Sequence, residues 1–189
     1  VVTGASVGLG RGFAFAMARQ GADVAILARR KEKLDQVAEE VRSLGVKCLP
    51  VKCDVNDLEE VKAALDTVLA ELGKVDILIN NAAGVGLPDG RVEELSLEAW
   101  DSIFASDVRG TFYCTKLILP YLRKNGGGAI VNIGSMASCA GDLGSTAYAC
   151  AKAGVDTLTQ YTALQYGKEN IRCNCVRPGL IVTPENEAR

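Results

Sequence analysis

Short apolar runs alternate with amphipathic stretches along nearly the whole chain. Val1-Val2 reads as the end of a strand that runs into Thr3-Gly4. Asp23–Ala28 (DVAILA), Lys47–Cys53, Val75–Ile79 (VDILI), Ala129–Ile133 and Ile171–Val176 read as five more strands. The stretches between them repeat at helical spacing. Gly8 to about Gln20 places Phe13, Ala14 and Met17 on one side, and Lys31–Leu44 is a charged amphipathic helix. Asp57 to about Leu72 carries Val61, Leu65, Val68 and Leu72 on one stripe. A loop with Gly84, Gly86, Pro88 and Gly90 follows the fourth strand, and one long helix is predicted from near Ser96 to about Lys124. Gly126-Gly127-Gly128 ends that helix, and Thr146–Tyr166 is the last one.

Strands apolar on both faces and separated by helices form a parallel sheet covered on both sides. With right-handed crossovers this is an α/β, three-layer, doubly wound sheet of Rossmann type, whose ligands sit at the carboxyl ends of the strands. No linker, repeat or low-complexity segment divides the 189 residues, so a single domain is expected. A two-residue first strand, and a chain that stops just after Thr183-Pro184-Glu185 where a loop should begin, are read as a shortened first strand and a missing C-terminal substrate loop and last strand.

Composition narrows the function. The formal net charge is −2, without a long basic run, so nucleic acid and anionic lipid are not expected partners. No apolar stretch is long enough to span a bilayer, and no signal sequence opens the chain, so the cytoplasm is the expected compartment. Seven cysteines, odd in number and never spaced C-x-x-C, read as reduced, small, buried residues rather than a disulfide framework, and Cys150 as packing on another helix face. Histidine is absent, which removes Ser-His-Asp and Cys-His schemes and any histidine-ligated zinc site. Acid–base chemistry then falls to Tyr, Lys, Asp or Glu, and no metal is expected.

Two patterns carry candidate chemistry. Tyr148-Ala149-Cys150-Ala151-Lys152 sets a phenol and an ammonium four residues apart, on one helix face. A cation beside a phenol stabilises the phenolate; lowering its pKa from about 10 to about 7 takes roughly 4 kcal/mol and makes Tyr148 a general acid or base. Taken alone, the same spacing is an ordinary helix with a half-buried Tyr and a surface Lys. Thr3-Gly4-Ala5-Ser6-Val7-Gly8-Leu9-Gly10 places three glycines where the first strand turns into its helix. Glycines permit a tight turn and close backbone approach, and the helix N-terminus offers free N–H groups to a pyrophosphate. The plain alternative is a glycine-rich turn with no ligand.

The chain resembles the short-chain dehydrogenase/reductases over essentially its whole length, in the branch of 3-oxoacyl reductases and hydroxysteroid dehydrogenases. TGASVGLG looks like the family's cofactor turn, with Gly4, Ser6, Gly8, Leu9 and Gly10 at the cofactor. Asp54-Val55 looks like its adenine contact, and Asn80-Asn81-Ala82-Ala83-Gly84 resembles its N-N-A-G element, Asn81 and Ala82 being cofactor-binding. Ser135, Tyr148 and Lys152 match its catalytic Ser, Tyr and Lys in order and spacing. Arg177-Pro178-Gly179-Leu180-Ile181-Val182-Thr183 resembles the segment over the nicotinamide, through Pro178, Gly179, Ile181 and Thr183. The resemblance implies hydride transfer between a nicotinamide and a ketone or secondary alcohol. Ser135 donates to the substrate oxygen, Tyr148 exchanges its proton, and Lys152 lowers the tyrosine pKa and holds the nicotinamide ribose. It also implies a homodimer or homotetramer built on the two long helices.

Two departures stand out. The family's Asn, thought to hold a water in a relay from the lysine, is replaced by Asp107 in Ser106-Asp107-Val108-Arg109-Gly110-Thr111-Phe112, and Ala83 stands where N-N-A-G has Gly. Asp107 is carried over as a catalytic candidate that accepts from that water, through its carboxylate or its backbone carbonyl. The bland alternative is a helix residue that pairs with a nearby cation. The second strand ends Ile26-Leu27-Ala28 and continues Arg29-Arg30-Lys31, with no carboxylate to accept from the ribose hydroxyls of NAD. Arg29 can grip a 2′-phosphate with its forked donors, so NADP(H) is preferred over NAD(H).

The expected function is an oxidoreductase for a carbonyl or alcohol small molecule: a 3-oxoacyl thioester, a hydroxysteroid, a sugar or polyol, or a small ketone. The alternatives are a non-catalytic dinucleotide-binding sensor or scaffold, and an epimerase or dehydratase on the same fold.

Overall fold

The computed structural model describes residues 1–84, 88–141 and 145–183; Gly86, Pro184 and Glu185 of the sequence reading lie outside them. Six parallel strands, β1 (Val2–Thr3), β2 (Val24–Ala28), β3 (Cys48–Lys52), β4 (Ile77–Asn80), β5 (Gly128–Ile133) and β6 (Ile171–Val176), pair in the order β3-β2-β1-β4-β5-β6. Helices α1 (Gly8–Arg19), α2 (Lys31–Arg42) and α3 (Leu58–Leu72) connect the first half. Helices α4 (Leu97–Phe104), α5 (Gly110–Lys124) and α6 (Thr146–Tyr166) follow β4 and β5. This is the doubly wound Rossmann-type α/β sheet that the alternation predicts.

Period-2 alternation within each strand feeds two cores, one on each face. Ala25 and Leu27 of β2, Leu78 of β4 and Ile130 of β5 pack with Leu65, Ile118 and Leu122 of α3 and α5. Their strand neighbours Val24, Ile26, Ile79 and Ile133 pack with Ala14, Ala18, Leu34 and Val41 of α1 and α2. Ile26, Leu34, Leu78, Ile118, Leu122 and Ile130 are fully buried, each worth about 1.5–3 kcal/mol of transfer from water. Asp57 caps α3 by accepting from Glu59 N (2.8 Å) and Glu60 N (3.1 Å), and Ser96 caps α4 by accepting from Ala99 N (3.1 Å).

The predicted helix from Ser96 to Lys124 is not continuous. A π turn at Ala105–Arg109 separates α4 from α5. Helix-periodic apolar residues continue across it, so spacing alone does not reveal the break. Gly110 lies so close to the loop after β3 that a Cβ there would stand 2.8 Å from Val55 Cγ2 and 3.1 Å from Val55 O. Ser106 Oγ and Thr111 Oγ1 bond back to the carbonyls of Ser102 (3.1 Å) and Asp107 (2.8 Å), a habit that bends helices. The turn points Asp107 inward, fully buried.

Candidate active site

Strand order reverses between β1 and β4, and the crevice opens at their carboxyl ends. Gly4 (φ 65°) and Gly8 (φ 55°) take left-handed backbone there, which glycine adopts without cost. Gly10 is held by contact: a Cβ would lie 2.3 Å from Gly4 O and 2.5 Å from Asn81 Nδ2. Thr3 Oγ1 accepts from Asn81 N and Ala82 N, both at 3.0 Å, while Asn81 Nδ2 donates to Thr3 O (3.0 Å) and Gly4 O (3.2 Å). The Asn81 side chain therefore braces the glycine turn and is already engaged there. Helix α1 starts at Gly8 with no side-chain cap, which leaves its first N–H groups to an anion.

A cleft of about 320 Å³ opens beside this turn. Gly4, Ser6, Leu9, Gly10, Arg29, Asp54, Val55, Asn81 and Ala82 all line it, as do Arg30, Ser102 and Ser106. Gly8 opens α1 without forming part of the cleft wall, and Pro178, Gly179, Ile181 and Thr183 lie outside it, after β6. No sequence pattern singles out Arg30 from its basic neighbours, yet its Nη2 reaches Ser6 Oγ at 3.4 Å. A glycine cradle that no Cβ could share, next to an uncapped helix N-terminus and two arginines, fits a dinucleotide phosphate.

Ser135, at the end of β5, caps a short 3₁₀ turn (Met136–Ser138) by accepting from Ala137 N at 3.2 Å. Its hydroxyl is near enough to the phenol of Tyr148 to lower the phenol pKa. Lys152, one turn further along α6, is 3% exposed; its Nζ donates to Ile133 O (3.0 Å) and lies 5.4 Å from the Tyr148 ring centroid. Burial pushes the phenol pKa above its ordinary value; the nearby Ser135 hydroxyl opposes this and the Asp107 charge adds to it. Lys152, whose Nζ lies 5.4 Å from the ring centroid, is not among the groups that lower the phenol pKa. Burial likewise pushes the Lys152 pKa down, against the opposing charges of Asp107, Cys175 and Asp156.

Asp107 meets this lysine directly. Its Oδ2 stands 4.0 Å from Lys152 Nζ, and Oδ1 accepts from Gly84 N at 2.7 Å. Among the described residues Oδ2 has no hydrogen-bond partner. Burial raises the carboxyl pKa, opposed by Lys152, Gly84 and Ser106. The backbone carbonyl anticipated as a water acceptor already takes Thr111 Oγ1 at 2.8 Å. The pairing cation of the bland alternative turns out to be Lys152 itself.

Asp89 contacts the helix that carries Tyr148, a link that sequence reasoning misses. Its Oδ1 accepts from Ala147 N (3.1 Å) and its Oδ2 from Tyr148 N (2.8 Å), capping α6 at the tyrosine from 59 positions away. Pro88-Asp89-Gly90 signals only a turn, and nothing local says which helix its carboxylate will reach. Among the described residues there is no group of His, Cys, Asp and Glu that could hold a metal, and no helix long and apolar enough to cross a membrane.

A doubly wound sheet with a glycine cradle at its switch point, and a Tyr and a buried Lys one turn apart on α6, points to a dinucleotide-dependent class of protein. The profile of the short chain dehydrogenases matches residues 1–189. The chain is 37% identical over 185 residues to the 7alpha-hydroxysteroid dehydrogenase of Bacteroides fragilis, covering 97% of this chain and 71% of that protein. It is 35% identical over 189 residues to a 3-oxoacyl-(acyl-carrier-protein) reductase of Staphylococcus aureus, covering 100% and 76%. A short-chain type dehydrogenase/reductase from Mycobacterium ulcerans superimposes with a TM-score of 0.95 at 32% identity, covering 99% of this chain and 69% of that one. The chain belongs to the short-chain dehydrogenase/reductases, NAD(P)-dependent oxidoreductases that act on CH–OH groups and ketones.

Proposed function

We propose that this chain reduces a ketone to a secondary alcohol, and catalyses the reverse reaction, with Ser135, Tyr148 and Lys152 as catalytic residues and NADP(H) as the preferred cofactor. One observation carries the reading: the Tyr148 phenol and a buried Lys152 share one face of α6, with Nζ 5.4 Å from the phenol ring centroid, and Ser135 is near enough to lower the phenol pKa. The bound nicotinamide supplies or accepts the hydride. As charge develops on the carbonyl oxygen, Ser135 donates a hydrogen bond to it and Tyr148 delivers its proton. A phenol pKa raised by burial keeps that proton in place at neutral pH, which favours reduction. Lys152 has N–H donors beyond the one given to Ile133 O, and these hold the nicotinamide ribose. Asp107 faces Lys152 from the other side, and its charge opposes the lowering of the lysine pKa by burial.

The cofactor choice rests on β2, which ends at Ala28 without a carboxylate, and on Arg29 and Arg30 in the cleft wall. The substrate class follows the relatives: a hydroxysteroid or a 3-oxoacyl thioester. A cytoplasmic homodimer or homotetramer completes the reading.

The test is Tyr148→Phe, assayed with NADPH against 3-oxoacyl thioesters, oxosteroids and small ketones. Turnover falls about 10²–10⁴-fold, while the Kd for NADPH stays within a few-fold of the parent. Near-parental turnover by the variant would overturn the assignment. A tighter Kd for NAD than for NADP overturns the cofactor choice.

A further inference from the structure

Asp156 plays no part in the proposed chemistry, yet it is 7% exposed and gathers donors from two separate segments. It lies one turn beyond Lys152 on α6, on the side of the sheet end where β5 and β6 stop. Its Oδ2 accepts from Ser138 Oγ at 2.6 Å. Its Oδ1 accepts from Arg177 Nε at 3.0 Å and from Cys175 Sγ at 3.1 Å. Ser138 closes the 3₁₀ turn that Ser135 opens, its N–H donating to Ser135 O at 3.1 Å. Arg177 begins the segment that continues through Pro178 and Gly179. These two segments also touch through their backbones, Gly134 N donating to Val176 O (2.8 Å) and Met136 N to Pro178 O (3.0 Å).

The space between them is too tight for another side chain. A Cβ on Gly134 would stand 2.7 Å from Cys175 Sγ, 3.2 Å from Asp156 Oδ1 and 3.3 Å from Arg177 Cγ. A carboxylate with three donors in such a place is a fixed post: charge-assisted bonds are short and roughly twice as strong as neutral ones. Burial alone would raise its pKa, but the bonds from Arg177, Ser138 and Cys175 outweigh burial and the net shift is downward, so it is ionised at neutral pH.

We propose that Asp156 is a positioning residue that fastens the Ser135 turn and the Arg177–Gly179 segment to α6, so that the hydroxyl offered to the substrate oxygen and the segment covering the cofactor keep one register with Tyr148 and Lys152. The proposal rests on the function argued above, because it assigns Asp156 to the same site. It acts through Ser138 and Arg177 and touches neither substrate nor cofactor.

The test compares Asp156→Ala, Asp156→Asn, Ser138→Ala and Arg177→Gln with the parent by amide hydrogen exchange, NADPH binding and ketone reduction, well below each variant's Tm. In Asp156→Ala, amide exchange quickens about tenfold in both 134–139 and 177–183 and stays unchanged in β2. Ketone reduction falls about 10- to 100-fold in kcat, since a misplacement of about 1 Å costs that much. Asp156→Asn, which keeps an acceptor, recovers most of both. Ser138→Ala loosens only 134–139, Arg177→Gln only 177–183, and adding Ser138→Ala to Asp156→Ala costs nothing further in kcat.

Exchange that rises evenly over the whole chain, or kcat within twofold of an active parent, overturns the proposal. If Asp156→Ala does not fold, unchanged exchange in both Ser138→Ala and Arg177→Gln overturns it as well. A parent that reduces no ketone sinks the function instead, and the exchange measurements still decide whether Asp156 fastens both segments.

Discussion

The two halves of the sheet build their ends of the crevice from opposite materials. On the β1–β2 side the wall is backbone and small side chains. Gly4, Gly8 and Gly10 bring the chain close, and Thr3 and Asn81 lock it through bonds to main-chain atoms. On the β5–β6 side, behind the surface, charge is taken out of water, with Asp107, Lys152 and Asp156 at 0%, 3% and 7% exposure. Each of these is tied to groups from distant segments. The first half is suited to cradling a polyanion, which needs N–H groups and room. The second is suited to moving protons, which needs titratable groups whose surroundings shift their pKa values. Substitutions should therefore fail by shape on one side and by charge on the other.

Gly10→Ala breaks the first half most severely. Its Cβ meets a backbone carbonyl at 2.3 Å, an atom that cannot swing away as a side-chain tip can. Overpacking of this kind costs about 1–3 kcal/mol, with roughly 2–4 °C of Tm lost per kcal/mol in a chain of this size. The Kd for NADPH should rise with it. Gly12, further along the same helix, has nothing within 4 Å of the point a Cβ would occupy, so Gly12→Ala should leave stability unchanged or raise it by up to about 1 kcal/mol. Equal melting of the two variants would show that the close approach at Gly10 is not what shapes the turn.

Arg29→Asp sharpens the comparison by adding charge to the half that works by shape. With a carboxylate after Ala28, the cleft should lose NADPH affinity by about 10- to 100-fold and gain affinity for NADH, read as the ratio of the two Kd values. An unchanged ratio would move the 2′-phosphate contact to Arg30, which stands beside Ser6.

The same contrast explains what could be read from the sequence. Glycine spacing after a strand, strand alternation and the Tyr148–Lys152 interval are local signals, and from them follow the fold, the cleft-lining residues and the place of the phenol and ammonium. Long-range wiring leaves no such trace. Asp89 reaches Tyr148 N across 59 positions, and Asn80 and Asn132 link Thr115 to Thr159 through the sheet by bonds of 3.1, 2.9 and 2.8 Å. These contacts exist only once the crossovers have stacked β4 beside β5. The π turn escapes for another reason. It inserts a residue into a helix whose apolar pattern is unbroken, so it shows only in where Asp107 points.

Asp107→Asn probes the charged half, and its effect at neutral pH should be the smallest of these. The carboxylate raises the pKa values of both Tyr148 and Lys152, so its removal lowers both. The limb on which reduction fails, as rising pH strips the phenol of its proton, should move to lower pH in a profile of log kcat/KM. At neutral pH the phenol keeps its proton in the parent, so turnover there changes little. Stability carries the opposite signature from Asp156. The Asp107 pKa is raised on folding, so its contribution is full below the ordinary carboxylate range and is lost as pH rises through the raised value. The Asp156 pKa is lowered, so its contribution is present above the ordinary range and is lost as pH falls through the lowered value. In Tm measured against pH, Asp107→Asn should remove a decline on the alkaline side of the carboxylate range, and Asp156→Asn a decline on the acid side. If both substitutions flatten the same limb, the two buried carboxylates do not hold their protons in the opposite senses that their surroundings dictate.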